Sequence, residues 1–325
     1  MLKPRFRAWL SDGLSASAVL TAGIFAGSLI GFTAPSASLW LEAQVNHTLL
    51  ALVSLLFFGI RFDALSQVLK HGRFLALAIT ANFLIIPLIG YALASLLLST
   101  HPLFCVGLVI YFMAPCTDWF LSFTKLAKGN IALGTALIPI NMVLQLLLYP
   151  IFLGLFAQST VQIEASVIGN TLVQWFLLPL ALGLVAHQII RQVLSSERFE
   201  HLLRLADEAS LWITAVLIMQ IFAGNLQTIL THISIILWIV LAVLCFVLIV
   251  FLFSGGISRL CRFEYPERAL LCMTLASRNA PLMLAVTVVA IPNQPLIYAV
   301  LVIAMLAEIP HLTALRYLLL RVRKN

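Results

Sequence analysis

Charge is what this chain has least of. Its 325 residues include 12 Asp plus Glu and 19 Lys plus Arg, 10% in all, against 62% hydrophobic residues and a mean hydropathy of +1.09. A soluble domain carries about a quarter charged residues, so a water-exposed globule is excluded. The short alternating segments of a membrane β-barrel are missing too, and long apolar runs stand in their place. Lipid offers backbone polar groups no partners, so these runs read as helices. Cysteine is scarce: Cys105, Cys116, Cys245, Cys261 and Cys272 match neither zinc-ligand spacing nor a disulfide framework. The chain lacks an H-E-x-x-H pair, a G-x-S-x-G elbow and a Walker motif. Those absences argue against an ATP-driven pump and against a membrane enzyme using Asp118 and Glu308 as acid and base. Neither a cofactor nor nucleic acid is expected, since the basic residues flank the apolar runs instead of forming one stripe.

What is there is an all-α polytopic membrane pattern. The apolar runs divide into ten spans, roughly 16–33, 45–60, 74–98, 103–125, 130–157, 167–190, 209–226, 232–256, 268–291 and 295–318, each near the ~20 residues a bilayer requires. Connections after even-numbered spans carry the cations: Arg61, Lys70 and Arg73; Lys125 and Lys128; Arg191, Arg198 and Arg204; Arg259, Arg262 and Arg268. The tail adds Arg316, Arg321, Arg323 and Lys324, and Lys3, Arg5 and Arg7 precede the first span. Connections after odd-numbered spans, around Glu42, His101, Glu164, His232 and Asn293, have no Lys or Arg. Only Arg278 breaks this alternation, which predicts an integral protein of the cytoplasmic (inner) membrane with both termini cytoplasmic.

The longest cytoplasmic connection, roughly 191–208, divides the chain into two five-span halves, 1–160 and 161–325. A shift of 163 residues sets Pro115-Cys116 on Arg278-Asn279, Gly129-Asn130 on Pro292-Asn293 and Gln145 on Glu308. An odd number of spans per half gives the halves opposite topology, the inverted-repeat plan of many secondary transporters.

Three charged residues lie inside spans: Asp118, Arg278 and Glu308. A charge at mid-membrane costs about 2.5–3.5 kcal/mol on insertion scales, so it persists mainly where it meets a cavity or a partner. Spans four and nine carry helix breakers at matching places, Ala114-Pro115-Cys116-Thr117-Asp118 and Ser277-Arg278-Asn279-Ala280-Pro281. Proline removes a backbone donor, and unwound backbone at membrane depth is tolerated where it lines a cavity or is buried in protein. Pro115 and Pro281 are therefore read as helix breaks; simple proline kinks are the bland alternative. Cys116 offers a soft thiolate suited to soft metals and metalloids, or else it is a packed small side chain. Asp118 and Arg278 are expected to pair, as a structural ion pair or as a gate. Glu308 suits reversible protonation, with His311 one turn away as a relay. Asn141 and Gln145 line the same cavity or act as polar glue between helices.

At these residues the chain resembles an arsenite efflux permease of the bile acid/arsenite/riboflavin transporter superfamily. The resemblance runs over nearly the whole chain and is strongest at Ala114-Pro115-Cys116, at Ser277-Arg278-Asn279 with Leu282 to Val286, at Glu308-Ile309-Pro310, and at Asn82 to Pro87. It implies a bile acid:sodium symporter-like fold, in which helices 4 and 9 cross in a core domain of helices 3–5 and 8–10. A panel domain of helices 1, 2, 6 and 7 would complete it. It also implies Cys116 as the ligand of trivalent arsenic and Glu308 in proton exchange; Ser277, Arg278, Asn279 and Asp118 are read from their place at the breaks as the other substrate-binding residues. Asp118 departs from the apolar continuation of that family's span four. Sodium-coupled relatives carry a Glu and a Gln-Asn pair in span nine, where this chain has Thr274 and Arg278-Asn279. Losing a carboxylate and gaining a cation argues against sodium coupling. The expected function is export of arsenite, with antimonite as a related cargo, in exchange for protons. A sodium- or proton-coupled carrier of a small organic anion drawn by Arg278, on the same fold, is the alternative, and a channel is a further class.

Overall fold

A computed structural model describes residues 4–59, 71–117, 119–156, 173 and 177–324. Asp118, the basic connection holding Arg61 and Lys70, and Glu164 lie outside the described residues. Within them the chain forms thirteen helices and no strand. These are α1 (Pro4–Thr33), α2 (Pro35–Ala43), α3 (Val45–Phe58), α4 (Gly72–Leu98), α5 (Pro102–Met113), α6 (Trp119–Leu126) and α7 (Ile131–Phe156). Then follow α8 (Leu178–Val193), α9 (Ser196–Leu230), α10 (Ile236–Leu260), α11 (Tyr265–Ala276), α12 (Ala280–Ala290) and α13 (Pro295–Lys324).

Five of them, α4, α7, α9, α10 and α13, are each long and apolar enough to cross a membrane. Helices α2 and α3, bent by 45° at Gln44, would make a sixth crossing as one broken span. The outer faces match lipid. On α10 the exposed side chains Leu237, Leu241, Leu244, Leu248 and Leu252 recur every three or four residues, while Ile239, Val243, Phe246 and Val250 are buried on the other side. An apolar stripe of that length is not tolerated in water but needs no cover in a bilayer. The molecule is an integral membrane protein.

Two sequence expectations change. The segment 191–208 is not a long connection: α8 runs to Val193 and α9 starts at Ser196, so its polar residues form the first turns of a 35-residue helix. Charged residues such as Glu197 and Arg204 are good helix formers, and a helix that leaves the membrane keeps its backbone bonds. The second expectation is the simple connection between the first two spans. It contains α2, whose Pro35 stands in the first turn, where its missing N–H costs nothing.

Helix α1 lies along α9, α8 lies on α3, and α3 meets α9. The other group brings α4 and α13 onto α5, and α10 onto α11 and α13. Two glycines let this second group close up. A Cβ at Gly90 would stand 2.5 Å from Cβ of Phe112, and one at Gly107 would stand 2.8 Å from Cβ of Val300. Helices α4 and α13 therefore approach α5 at backbone distance.

Candidate functional site

The site is built from two helices that stop inside the protein. Helix α5 ends at Met113, where Ala114 turns extended (φ −106, ψ 111). Helix α11 ends at Ala276, where Ser277 turns extended (φ −80, ψ 137). Proline at 115 has no N–H with which to continue the α5 ladder, and residues before proline favour extended backbone. Pro281 plays a different part: it sits in the first turn of α12, after the break, where it starts a helix. The second break is made by Ser277, Arg278 and Asn279.

The two extended segments pair with each other. Pro115 and Arg278 form an antiparallel bridge. The Cys116 N–H donates to the Ser277 carbonyl at 3.1 Å and the Asn279 N–H donates to the Ala114 carbonyl at 2.9 Å. Each break thus satisfies the other's backbone, the requirement for unwound chain at membrane depth. The amide of Asn279 fixes the crossing further: its Nδ2 donates to Thr117 Oγ1 at 3.2 Å, and its Oδ1 caps α12 by accepting from Leu282 N at 3.3 Å.

Arg278 is fully buried. Its Nη1 donates to the Phe112 carbonyl at 3.0 Å. Its Nη2 donates to Asn82 Oδ1 at 3.1 Å, to the Thr274 carbonyl at 2.9 Å and to the Leu275 carbonyl at 2.8 Å. Three of these acceptors are carbonyls in the last turns of α5 and α11, which have no partner inside their own helices and carry the negative ends of the helix dipoles. The guanidinium therefore neutralises two helix ends at once. Its Cζ stands 5.8 Å from the centre of Phe246, which stacks on Phe112.

Asn82 reaches this group from a π-turn, Ala81–Ile85, inside α4. Pro87 follows, and its missing N–H and bulky ring disturb the ladder where the helix widens. Asn82 also donates from Nδ2 to Thr274 Oγ1 at 3.2 Å. Glu308, 2% exposed on α13, accepts from the backbone N–H of Arg278 at 3.0 Å. Among the described residues the guanidinium bonds to neutral oxygens, and Glu308 bonds to the Arg278 main chain. The Tyr111 hydroxyl, the Cys116 thiol, Glu308 and Arg278 lie within electrostatic reach of one another.

Cys116, Ser277, Arg278, Asn279 and Glu308 come together at the crossing. Asp118, expected opposite Arg278, is outside the described residues. Asn141 and Gln145 are buried on α7 with no hydrogen bond to the crossing among the described residues. Both amide atoms of Asn141 and the Oε1 of Gln145 lack a partner among the described residues, and Gln145 Nε2 meets Met142 Sδ at 3.3 Å. His311 is buried beside the end of α11; its ring nitrogens face the carbonyls of Ala307 and Ala276 without reaching hydrogen-bond geometry. The Ser277 hydroxyl and Arg278 Nε also lack partners among the described residues. Unpaired buried polar groups cost about 1–3 kcal/mol each, so such a concentration marks a place built for polar contents. Among the described residues no three His, Cys, Asp or Glu side chains could hold a metal ion. Tyr111, Phe112 and Phe246 were not singled out from sequence. Nothing in residue type separates them from the other aromatic side chains of the spans.

The sequence model of the Sodium Bile acid symporter family matches residues 49–256. A probable sodium/metabolite cotransporter BASS2, chloroplastic, of Oryza sativa subsp. japonica is 25% identical over 166 residues, 51% of this chain and 39% of that protein. An uncharacterized sodium-dependent transporter YocS of Bacillus subtilis (strain 168) is 23% identical over 165 residues, 51% of each chain. The match thus spans about half, or less, of those two relatives' own lengths. The arsenical-resistance protein Acr3 of Alkaliphilus metalliredigens (strain QYMF) is 22% identical over 310 residues, 90% of this chain and 87% of that protein.

Proposed function

The chain belongs to the Sodium Bile acid symporter family, and from that premise we propose that it is a secondary transporter exporting trivalent arsenite across the cytoplasmic membrane in exchange for protons. The observation that carries this reading is a buried thiol, Cys116, at a bridged crossing of two broken helices with Arg278, Ser277, Asn279 and Glu308 around it. Likeness to an Acr3 protein along 90% of the chain supports the same cargo.

In this reading ten crossings form two inverted five-helix repeats, 1–160 and 161–325. The bridge joins the very residues that the repeat superposes, Pro115 and Arg278. The turns after α6 and α12 each hold a left-handed residue, Lys128 and Asn293, both at φ 60°. Helices 3–5 and 8–10 make a core that rocks against a panel of helices 1, 2, 6 and 7.

Neutral arsenous acid enters from the cytoplasm and exchanges a hydroxyl for the Cys116 sulfur, releasing water: the thiol proton joins the leaving hydroxyl. A soft thiolate suits arsenic(III) better than any oxygen donor nearby. The remaining arsenic hydroxyls meet the Ser277 hydroxyl, the Asn279 amide, Asp118 and Arg278 Nε, with the Asn141 and Gln145 amides lining the path. A proton taken up by Glu308 from the far side, relayed through His311, favours release and reset. Hydrolysis of the arsenic–sulfur bond returns the thiol.

The test is arsenite uptake into everted vesicles under an imposed proton gradient. Wild-type uptake is expected to need the gradient. Cys116→Ser should abolish it at unchanged expression, and Glu308→Gln should abolish gradient-driven uptake while arsenite exchange survives. Unchanged export by Cys116→Ser removes the thiol from the mechanism. A second reading, carriage of a small organic anion, is favoured by the BASS2 likeness and by the buried cation Arg278. Anion uptake insensitive to arsenite would select it.

A further inference from the structure

We infer that the guanidinium of Arg278 is a tethered cation filling an oxygen cage that would otherwise take a free monovalent cation, so that this chain works without sodium. The inference rests on the carrier reading and not on arsenite as cargo.

The family and two relatives bear sodium in their names, so the fit of sodium to these residues is a fair question. Sodium needs several oxygen ligands around a point and gains from a carboxylate among them. At the crossing, four oxygens do converge: the carbonyls of Phe112, Thr274 and Leu275 and the Oδ1 of Asn82. Ends of broken helices and unwound carbonyls are where transporters hold coupling cations. Here that position already holds a positive charge fixed by a covalent side chain. A second cation beside it would meet like-charge repulsion in a medium of low dielectric. Sodium therefore does not fit.

The geometry of the contact favours a cage over a fork. A guanidinium normally presents parallel N–H pairs to a planar acceptor. Here three oxygens from two helices crowd one nitrogen, Nη2, which has only two hydrogens, while Nε has no partner among the described residues. Oxygens converging on one point suit a compact ion better than a planar one. The cage is also sealed: Asn82, Thr274 and Arg278 are each 0% exposed.

The experiment uses full-length purified protein in detergent, with no arsenite present. Thermal midpoints are read in choline, potassium, lithium, sodium and low millimolar guanidinium. Wild type is expected to give the same midpoint in all of them. Arg278→Ala and Arg278→Gln empty the cage and should start low, then rise with guanidinium or sodium. At a cation concentration roughly tenfold above Kd the rise should be about 2–4 °C. Arg278→Lys keeps the charge and should stay insensitive to sodium. Folded Arg278→Ala and Arg278→Gln that no cation stabilises would overturn the inference, as would sodium stabilisation of wild type. Should neither variant fold, vesicle uptake by wild type decides: dependence on a sodium gradient overturns the inference and indifference to sodium supports it. A cation response in Arg278→Ala without arsenite export by wild type would sink the arsenite reading alone. Export without any cation response would sink this inference alone.

Discussion

The two breaks have the same backbone and opposite chemistry. Each extended segment gives one N–H and one carbonyl to the other, Cys116 to Ser277 and Asn279 to Ala114. At the centre of the pair, however, Pro115 is an imide with no N–H, while Arg278 uses both its N–H and its guanidinium. The partners differ in the same way. Glu308 accepts the Arg278 N–H, whereas Gln145, its counterpart in the first half, keeps an Oε1 without a partner among the described residues. One half of the crossing is an anchor with its charge bonded on several sides. The other half holds a soft thiol and orphaned amides. On the proposed inverted-repeat plan the two breaks share a backbone and differ in side chains, a bonded guanidinium in one and a thiol in the other.

That contrast can be broken at its strong side first. Arg278→Met leaves four buried oxygens without the donors they surround, and should cost about 3–5 kcal/mol of stability; the melting midpoint in detergent measures it. Asn82→Leu removes one oxygen from Nη2 and the donor to Thr274, with an expected cost of about 1–3 kcal/mol on the same measurement. On the other half, Cys116→Ser should cost less than Arg278→Met, about 1–2 kcal/mol, while export is lost, because the volume is nearly conserved and one buried hydroxyl is added. Equal destabilisation by Cys116→Ser and Arg278→Met would erase the division of labour. The smallest effect sharpens it. Pro115→Ala gives the first break the N–H it lacks and should change stability by no more than about 1 kcal/mol, read from the same melting midpoint.

Much of the crossing was legible from residue types. Proline at 115, charges at 278 and 308 and the shift that superposes the halves all pointed to the segments that pair. The partners of Arg278 were not legible. Three of them are main-chain carbonyls, which every residue has, so no letter of the sequence marks Phe112, Thr274 or Leu275 as ligands. Asp118, the partner expected from the sequence, lies outside the described residues. The extension of α9 back to Ser196 was hidden for another reason: polar helix turns outside the membrane and polar loops have the same composition.

By itself the sequence determined that the chain lives in lipid and is helical, and where one of its helices must stop, at Pro115, because hydropathy, cation placement and a missing N–H act locally. Only the tertiary structure decided what the buried arginine holds. Two of its ligands, Phe112 and Asn82, lie 166 and 196 residues away along the chain, and the free ends of α5 and α11 become an oxygen cage only once packing turns them toward one point.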